Sequence, residues 1–194
     1  AVLVLAALVL FVSFLLLAQP RLLAAIRAFA WQGALLALIT AVVATVNGHP
    51  HLYVSAVLTA GLKAGLIPWM LHRLTRRLEL ERYVDAVERA AIIQIVAVAL
   101  VLFSYWLVLP IIQQDLEFTR NIIAISLAVV LLGLWVMITR QQAVFQVLGF
   151  MSIENGLFLA AVSATEGMPL VVELGIAFDV LVAVVDARAD AATG

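Results

Sequence analysis

The sequence is far too apolar for an ordinary soluble domain. Of its 194 residues, 66% are hydrophobic and 12% are charged, whereas soluble domains are about 25% charged. The net charge of -1 gives no information about nucleic-acid binding, but the sequence has no cluster of Lys or Arg alternating with aromatic residues, which a nucleic-acid-binding surface would require. Because the sequence has no Cys, it can hold neither an iron–sulfur cluster nor a thiolate nickel or zinc site.

Runs of about 20 apolar residues predict an all-α polytopic membrane protein with seven transmembrane helices. The predicted spans cover residues 1–18, 22–46, 51–71, 90–112, 121–139, 142–163 and 169–185. The first run lacks a basic segment before it, and six more spans follow, so we interpret it as a span rather than a cleaved signal peptide. The chain divides near residue 114 into a four-helix part, 1–113, and a three-helix part, 114–194.

The arginines predict how the chain is oriented. Nine of them lie in or beside the linkers after spans one, three and five, or after the last span, and only Arg120 lies on the other side. Cytoplasmic loops carry the excess of Lys and Arg in membrane proteins. We therefore expect the N-terminus outside and the C-terminus in the cytoplasm.

The one sizeable polar linker is residues 72–89, which this orientation places in the cytoplasm. Its apolar residues recur at near-helical spacing, and Asp85 precedes Arg89 by four residues, so a short surface helix is expected. The linker is either a solvated connector or a docking surface for a peripheral cytoplasmic subunit. On the other side, residues 47–50 form a tight turn between spans two and three.

Lys63 lies near the middle of span three, twelve residues from its start, or ~18 Å along a helix. A charge at that depth costs ~2.5–3.5 kcal/mol on insertion scales. Ser55 and Thr59 precede it on the same helix face, and Pro68 removes a backbone donor and displaces the carbonyl of Ala64. We expect a kinked helix beside a hydrated path. The alternative is a lysine whose side chain snorkels to the interface.

Glu154 occupies the corresponding depth of span six. A stripe of small residues on that helix predicts the close approach of another helix; its members are Gly149, Ser152, Gly156, Ala160 and Ser163. Glu154 points roughly to the opposite face, where a carboxylate needs a partner on another helix or a retained proton. It is therefore either a proton carrier or a structural carboxylate bonded to a neighbouring helix.

Span seven is the least apolar of the predicted spans. Asp179 lies near its middle, Glu173 lies nearer the outer surface, and Asp186 lies near the cytoplasmic interface. Intramembrane acids of this kind mark ion or proton pathways. Glu173 is either the outer mouth of such a path or a plain interfacial acid.

The stretch RQQAVFQVLGFMSIENGLFLAAV from Arg140, followed by VVELGIAFDVLVAVV, resembles the three-span NuoK subunit of complex I and its antiporter relative MrpC. That family carries one mid-membrane Glu in its second helix and another in its third. The matching positions are Glu154 and Asp179. The resemblance also implies the same orientation as the arginine count. Asp179 stands where a Glu is expected, which leaves open whether Glu173 shares its role.

Four spans precede this unit, and the third contains GLKAGLIPWMLHRL. The whole arrangement resembles hydrogenase-4 component E (HyfE), a membrane subunit of group 4 nickel–iron hydrogenase and formate hydrogenlyase complexes. The resemblance implies a multi-pass subunit of a prokaryotic cytoplasmic membrane, surrounded by lipid and by antiporter-like and NuoH-like subunits. It also implies a cytoplasmic hydrogenase arm, with nickel–iron and iron–sulfur centres in those partners and no cofactor in this chain.

We therefore expect an energy-coupling subunit in which Lys63, Glu154, Asp179 and Glu173 contribute to proton or sodium movement coupled to redox chemistry in other subunits. One alternative is a module of a multisubunit cation/proton antiporter without redox activity. A third is a passive scaffold. The sequence offers no nucleophile–base pair, phosphate loop or cofactor-binding motif, so catalysis by this chain alone is not expected.

Overall fold

The computed structural model describes residues 2–47, 50–77, 87–110 and 117–164, and all regular structure in these ranges is helical. The elements are α1 (Val2–Ala18), α2 (Leu22–Asn47), α3 (Pro50–Thr59), a π-helical segment (Ala60–Leu66), α4 (Ile67–Arg77), α5 (Val87–Val108), α6 (Glu117–Thr139) and α7 (Ala143–Ala164). The all-α class predicted from the sequence is confirmed for this part of the chain.

Four helices within the described ranges are long and apolar enough to cross a membrane, namely Leu22–Val46, Ala90–Val108, Arg120–Thr139 and Ala143–Val162. The first predicted span corresponds to α1, which is apolar but shorter. The third corresponds to α3, the π-helical segment and α4 in succession. The seventh lies outside the described residues, together with Glu173, Asp179 and Asp186. The count of seven spans and their orientation therefore stay predictions.

The third predicted span continues further than expected. It was predicted to end at residue 71, but α4 runs to Arg77. No helix breaker follows Pro68 in this stretch, and basic residues in a last turn interact favourably with the helix dipole. Residues 72–77, assigned from the sequence to the polar linker, thus continue the helix. Residues 78–86 lie outside the described part.

The π-helical segment lies directly before Pro68. A proline ring displaces the carbonyl four residues earlier, which here is that of Ala64, inside the segment. A π-helix bonds residue i to i+5 and adds one residue to a turn, so it absorbs the interrupted bonding where a kink was expected. Lys63 lies in the middle of this segment.

Helices α6 and α7 form the most closely packed pair, and glycines set their separation. A Cβ built at Gly149 would lie 2.9 Å from the carbonyl oxygen of Gly133, and one built at Gly156 would lie 2.9 Å from that of Ser126. Contacts this short leave no room for a methyl group. The close approach predicted from the small-residue stripe is confirmed at these two glycines.

The ends of α1 and α6 are joined by one buried guanidinium. Arg140 Nη2 donates to the carbonyls of Leu17, at 3.3 Å, and Gln19, at 3.4 Å, and the guanidinium lies over the ring of Phe145. Burial lowers the pKa of Arg140. Because the carbonyls at the end of a helix lack partners within that helix, Arg140 closes the end of α1.

The helices of the two predicted parts pack together in the structure. Buried apolar residues of α1 and α2 form common clusters with residues of α6 and α7, including Phe29, Leu36, Val129 and Phe145. In contrast, α5 is mostly exposed and meets α6, where Trp135 Nε1 donates to the carbonyl of Ile93 at 3.1 Å. The interior formed by α1, α2, the π-helical segment and α7 holds the polar site.

Candidate functional site

Lys63 and Glu154 form an ion pair inside the helix bundle. Lys63 Nζ lies 3.1 Å from Glu154 Oε1, and the two side chains are 1% and 15% exposed. Lys63 Nζ also donates to Asn155 Oδ1 at 2.9 Å and lies 5.3 Å from the centre of the Phe158 ring. A lysine that snorkels would place its ammonium in an exposed position. The burial of Lys63 excludes that alternative.

The two carboxylate oxygens of Glu154 have different surroundings. Oε1 accepts the hydrogen bond from Lys63. Oε2 is buried and has no hydrogen-bond partner among the described residues. An unsatisfied buried acceptor is costly, particularly when it carries charge. This oxygen is therefore the place where the site can take a proton or a further donor.

The π-helical segment and a glycine on α2 bring Lys63 to this position. A Cβ built at Gly33 would lie 2.7 Å from Lys63 Cβ and 2.9 Å from the Lys63 carbonyl carbon. Only a residue without a side chain lets α2 approach the backbone of the π-helical segment so closely. Thr59, one of the polar residues predicted beside Lys63, is also buried. The side chain of Ser55 lies outside the described part of the structure.

Two carboxamides extend the site from α7 to α2. Asn155 Nδ2 donates to Gln32 Oε1 at 3.0 Å, and both side chains are fully buried. Each amide therefore uses its oxygen as an acceptor and its nitrogen as a donor. The result is a continuous hydrogen-bonded connection from Lys63 to the middle of α2.

The connection ends at two serines on different helices. Gln32 Nε2 donates to Ser13 Oγ on α1, at 2.8 Å, and to Ser152 Oγ on α7, at 3.1 Å. Ser13 Oγ in turn donates to the carbonyl of Val9, at 2.8 Å. Four segments, α1, α2, the π-helical segment and α7, thus contribute polar side chains to one buried network.

Sequence reasoning found the two charges but not the two amides. Gln32 lies ten residues into an apolar run of 26 and Asn155 directly follows Glu154, so both stood at mid-span depth. An uncharged amide inside a membrane span still requires partners, because lipid offers no hydrogen bonds. That requirement, applied to every polar residue rather than to charges alone, would have identified both.

Of the residues predicted for the pathway, the structure brings Lys63 and Glu154 together. Asp179 and Glu173 lie outside the described residues, so their place relative to this pair stays a prediction. Within the described ranges, no group of three or more His, Cys, Asp or Glu side chains could hold a metal ion.

A buried carboxylate beside an ammonium can serve one elementary reaction. It can accept a proton at Oε2 and later release it, while the ammonium stabilises the charged form through Oε1. The amide and hydroxyl groups of the network do not titrate near neutral pH. The chemistry available to these residues is therefore proton transfer, or electrostatic control of a cation nearby.

Comparison with known proteins gives one clear relative. The chain is 33% identical over 174 residues to the uncharacterized protein Rv0085 of Mycobacterium tuberculosis (strain ATCC 25618 / H37Rv), a match that covers 89% of this chain and 79% of the relative. No protein-family model matches the sequence. No solved structure matches it either. The identity and coverage show that the chain belongs to the family of Rv0085.

Proposed function

We propose that the chain is a membrane-arm subunit of a complex I-related, membrane-bound hydrogenase and that Lys63 and Glu154 form part of its proton path. The observation that supports this most directly is the ion pair, with Lys63 Nζ 3.1 Å from Glu154 Oε1 inside an apolar bundle. Breaking a buried pair costs about 3–5 kcal/mol, yet replacing one by apolar residues is often neutral or stabilising. Such a pair is therefore a poor device for stability alone and a suitable one for moving charge.

In this proposal Glu154 alternates between two states. As a carboxylate it holds the Lys63 ammonium through Oε1. When a proton arrives at Oε2, the carboxyl group becomes neutral, its attraction for Lys63 weakens, and Lys63 keeps its bond to Asn155 Oδ1. Release of the proton restores the ion pair. Asp179 and Glu173 are the groups we propose for the next steps of the path.

The redox chemistry belongs to other subunits. The sequence has no Cys, and thiolates are the ligands that nickel–iron and iron–sulfur centres require. We propose that those centres lie in a cytoplasmic hydrogenase arm and that antiporter-like and NuoH-like membrane subunits adjoin this chain. The coupling is electrostatic, because a change of charge in a neighbouring subunit alters the proton affinity of a buried carboxylate.

The test is to isolate the assembly that contains this chain. An affinity tag on the full chain, expressed in its own host, should retain a membrane complex that contains nickel and reduces a dye with hydrogen. Membranes with the untagged chain, taken through the same purification, are the control. A stable complex that lacks nickel and hydrogen-dependent activity, but exchanges cations for protons in liposomes, would overturn the hydrogenase assignment.

A further inference from the structure

The polar network around Lys63 has a fixed direction. An ammonium group has donors only, so Asn155 presents its oxygen to Lys63. Its nitrogen then faces Gln32, which presents its own oxygen. The Gln32 nitrogen is left for the two serine hydroxyls. Turning either amide around would bring two donors face to face. One charged group at the end of the chain of bonds thus sets the orientation of both amides.

The same network cannot carry protons away from Lys63 towards α1. A carboxamide has no titratable proton, and two carboxamides in succession separate Lys63 from Ser13. Beyond Ser13 the connection ends at a backbone carbonyl of its own helix. Glu154 is thus the titratable group next to Lys63 that could pass a proton on, among the residues that the structure describes.

We propose that Gln32 and Asn155 are positioning residues, which hold the Lys63 ammonium against Glu154 Oε1 and close the α1 side of the pair to proton transfer. The closing of the α1 side rests on the proposed function, because it matters only if the Lys63–Glu154 pair changes its protonation during turnover. The positioning of the Lys63 ammonium follows from the hydrogen bonds alone. Among the described hydrogen bonds, Gln32 is linked to Lys63 through Asn155, so its role is transmitted over two hydrogen bonds in series.

Lys63 is the only lysine in the sequence, so a lysine label reports on this residue alone. In the full chain, labelled with ¹⁵N-lysine and placed in lipid nanodiscs, nuclear magnetic resonance should give a single Nζ signal. Gln32→Met and Asn155→Leu keep side-chain size and remove the amide. We expect both substitutions to shift the Nζ signal and to abolish its protection from exchange with solvent protons. Gln32→Glu keeps an oxygen that accepts from Asn155 Nδ2, and should restore the signal towards its wild-type position.

Matched controls separate positioning from general disturbance. Gln94→Met on α5 and Asn121→Leu on α6 make the same chemical changes at partly buried positions outside the network, and should leave the Lys63 signal unchanged. In samples that also contain ¹⁵N-tryptophan, the indole signal of Trp135, whose Nε1 donates to the carbonyl of Ile93, reports that the bundle is intact. If a variant loses that signal, the positioning role is judged from the difference in the Lys63 Nζ signal between Gln32→Met and Gln32→Glu.

An unchanged Nζ position and unchanged exchange in a folded Gln32→Met variant would overturn the positioning role, as would a Gln32→Glu variant that behaves like Gln32→Met. These outcomes are independent of whether the chain moves protons. Normal proton translocation by a Glu154→Gln complex would refute the proposed function and leave the spectroscopic result as it stands. The proposed function and the positioning role of Gln32 and Asn155 can therefore be refuted independently.

Discussion

Gly33 of α2 lies against the backbone of Lys63, so closely that a Cβ at residue 33 would be 2.7 Å from Lys63 Cβ. The contact fixes the distance between α2 and the π-helical segment, and thereby the distance between the Gln32 amide and the ion pair. The geometry of the site thus depends on a residue that has no polar side chain and contacts neither Glu154 nor Asn155 in a hydrogen bond.

Gly33→Ala should therefore destabilise the chain, because the methyl group meets backbone atoms that cannot move aside. Overpacking of this kind costs about 1–3 kcal/mol. Gly61→Ala is the matched control, since a Cβ built at Gly61 meets no described atom within 4 Å, and it should be neutral or stabilising by about 0.4–1 kcal/mol. The free energy of unfolding in mixed detergent, monitored by tryptophan fluorescence, measures both effects. Equal effects of the two substitutions would contradict the close contact.

A second prediction concerns the energy of the ion pair. Lys63→Met leaves Glu154 as an uncompensated buried carboxylate, and should destabilise the chain by about 3–5 kcal/mol. Lys63→Met combined with Glu154→Gln removes both charges, so the double variant should be more stable than the sum of the single effects predicts, by about 0.5–3 kcal/mol. A double-mutant cycle on the free energy of unfolding measures this. Ser126→Ala, which removes a bond within one helix, is the control, and strict additivity would show that the pair is not coupled.

Arg140 gives a prediction outside the polar site. Arg140→Met removes the donors to the carbonyls of Leu17 and Gln19, and hydrogen bonds of charged groups contribute about 1.5–3 kcal/mol. We expect a loss of that order and faster hydrogen exchange at the end of α1. Arg73→Met, at an exposed guanidinium over Trp69, should change stability by less than about 0.5 kcal/mol. A comparable loss in both variants would contradict the capping role.

The orientation predicted from the arginines is tested by topology reporters. A reporter inserted within residues 78–86 should register as cytoplasmic, and one inserted after Asn47 should register as external, because nine of ten arginines lie on the first side. The full chain with the reporter at its C-terminus, expected in the cytoplasm, is the positive control. The reverse pattern would overturn the orientation and the order in depth of Glu173 and Asp179.

The sequence predicted the helical class, the approximate helix bounds and the position of Lys63 and Glu154 inside apolar helices, because each depends on local apolar runs and on the cost of burying charge. It did not predict that these two side chains bind each other across 91 residues, since spacing carries no information about which helices become neighbours. The π-helical segment was also missed. Pro68 indicated a kink, but whether a kink is relieved by an extra residue in the turn depends on what packs there, and here that is Gly33.

The two amides were missed for a different reason. Gln32 and Asn155 carry no charge, so they were not identified by the cost of burying a charge. Each must nevertheless be hydrogen-bonded when buried. Their partners come from α1, α2, the π-helical segment and α7 and could not be inferred from one helix at a time. The roles of Asp179 and Glu173 stay predictions.

The proposed proton path through Lys63 and Glu154 can be tested by the proton-to-electron ratio of the purified assembly in liposomes, measured for wild type and for Glu154→Gln. The amide keeps the size of the side chain and an acceptor for Lys63 but has no titratable proton. We expect that the variant assembles and transfers electrons from hydrogen, while the number of protons moved per electron falls. Ser126→Ala is the assembled control. An unchanged ratio in a fully assembled Glu154→Gln complex would contradict a proton path through this pair.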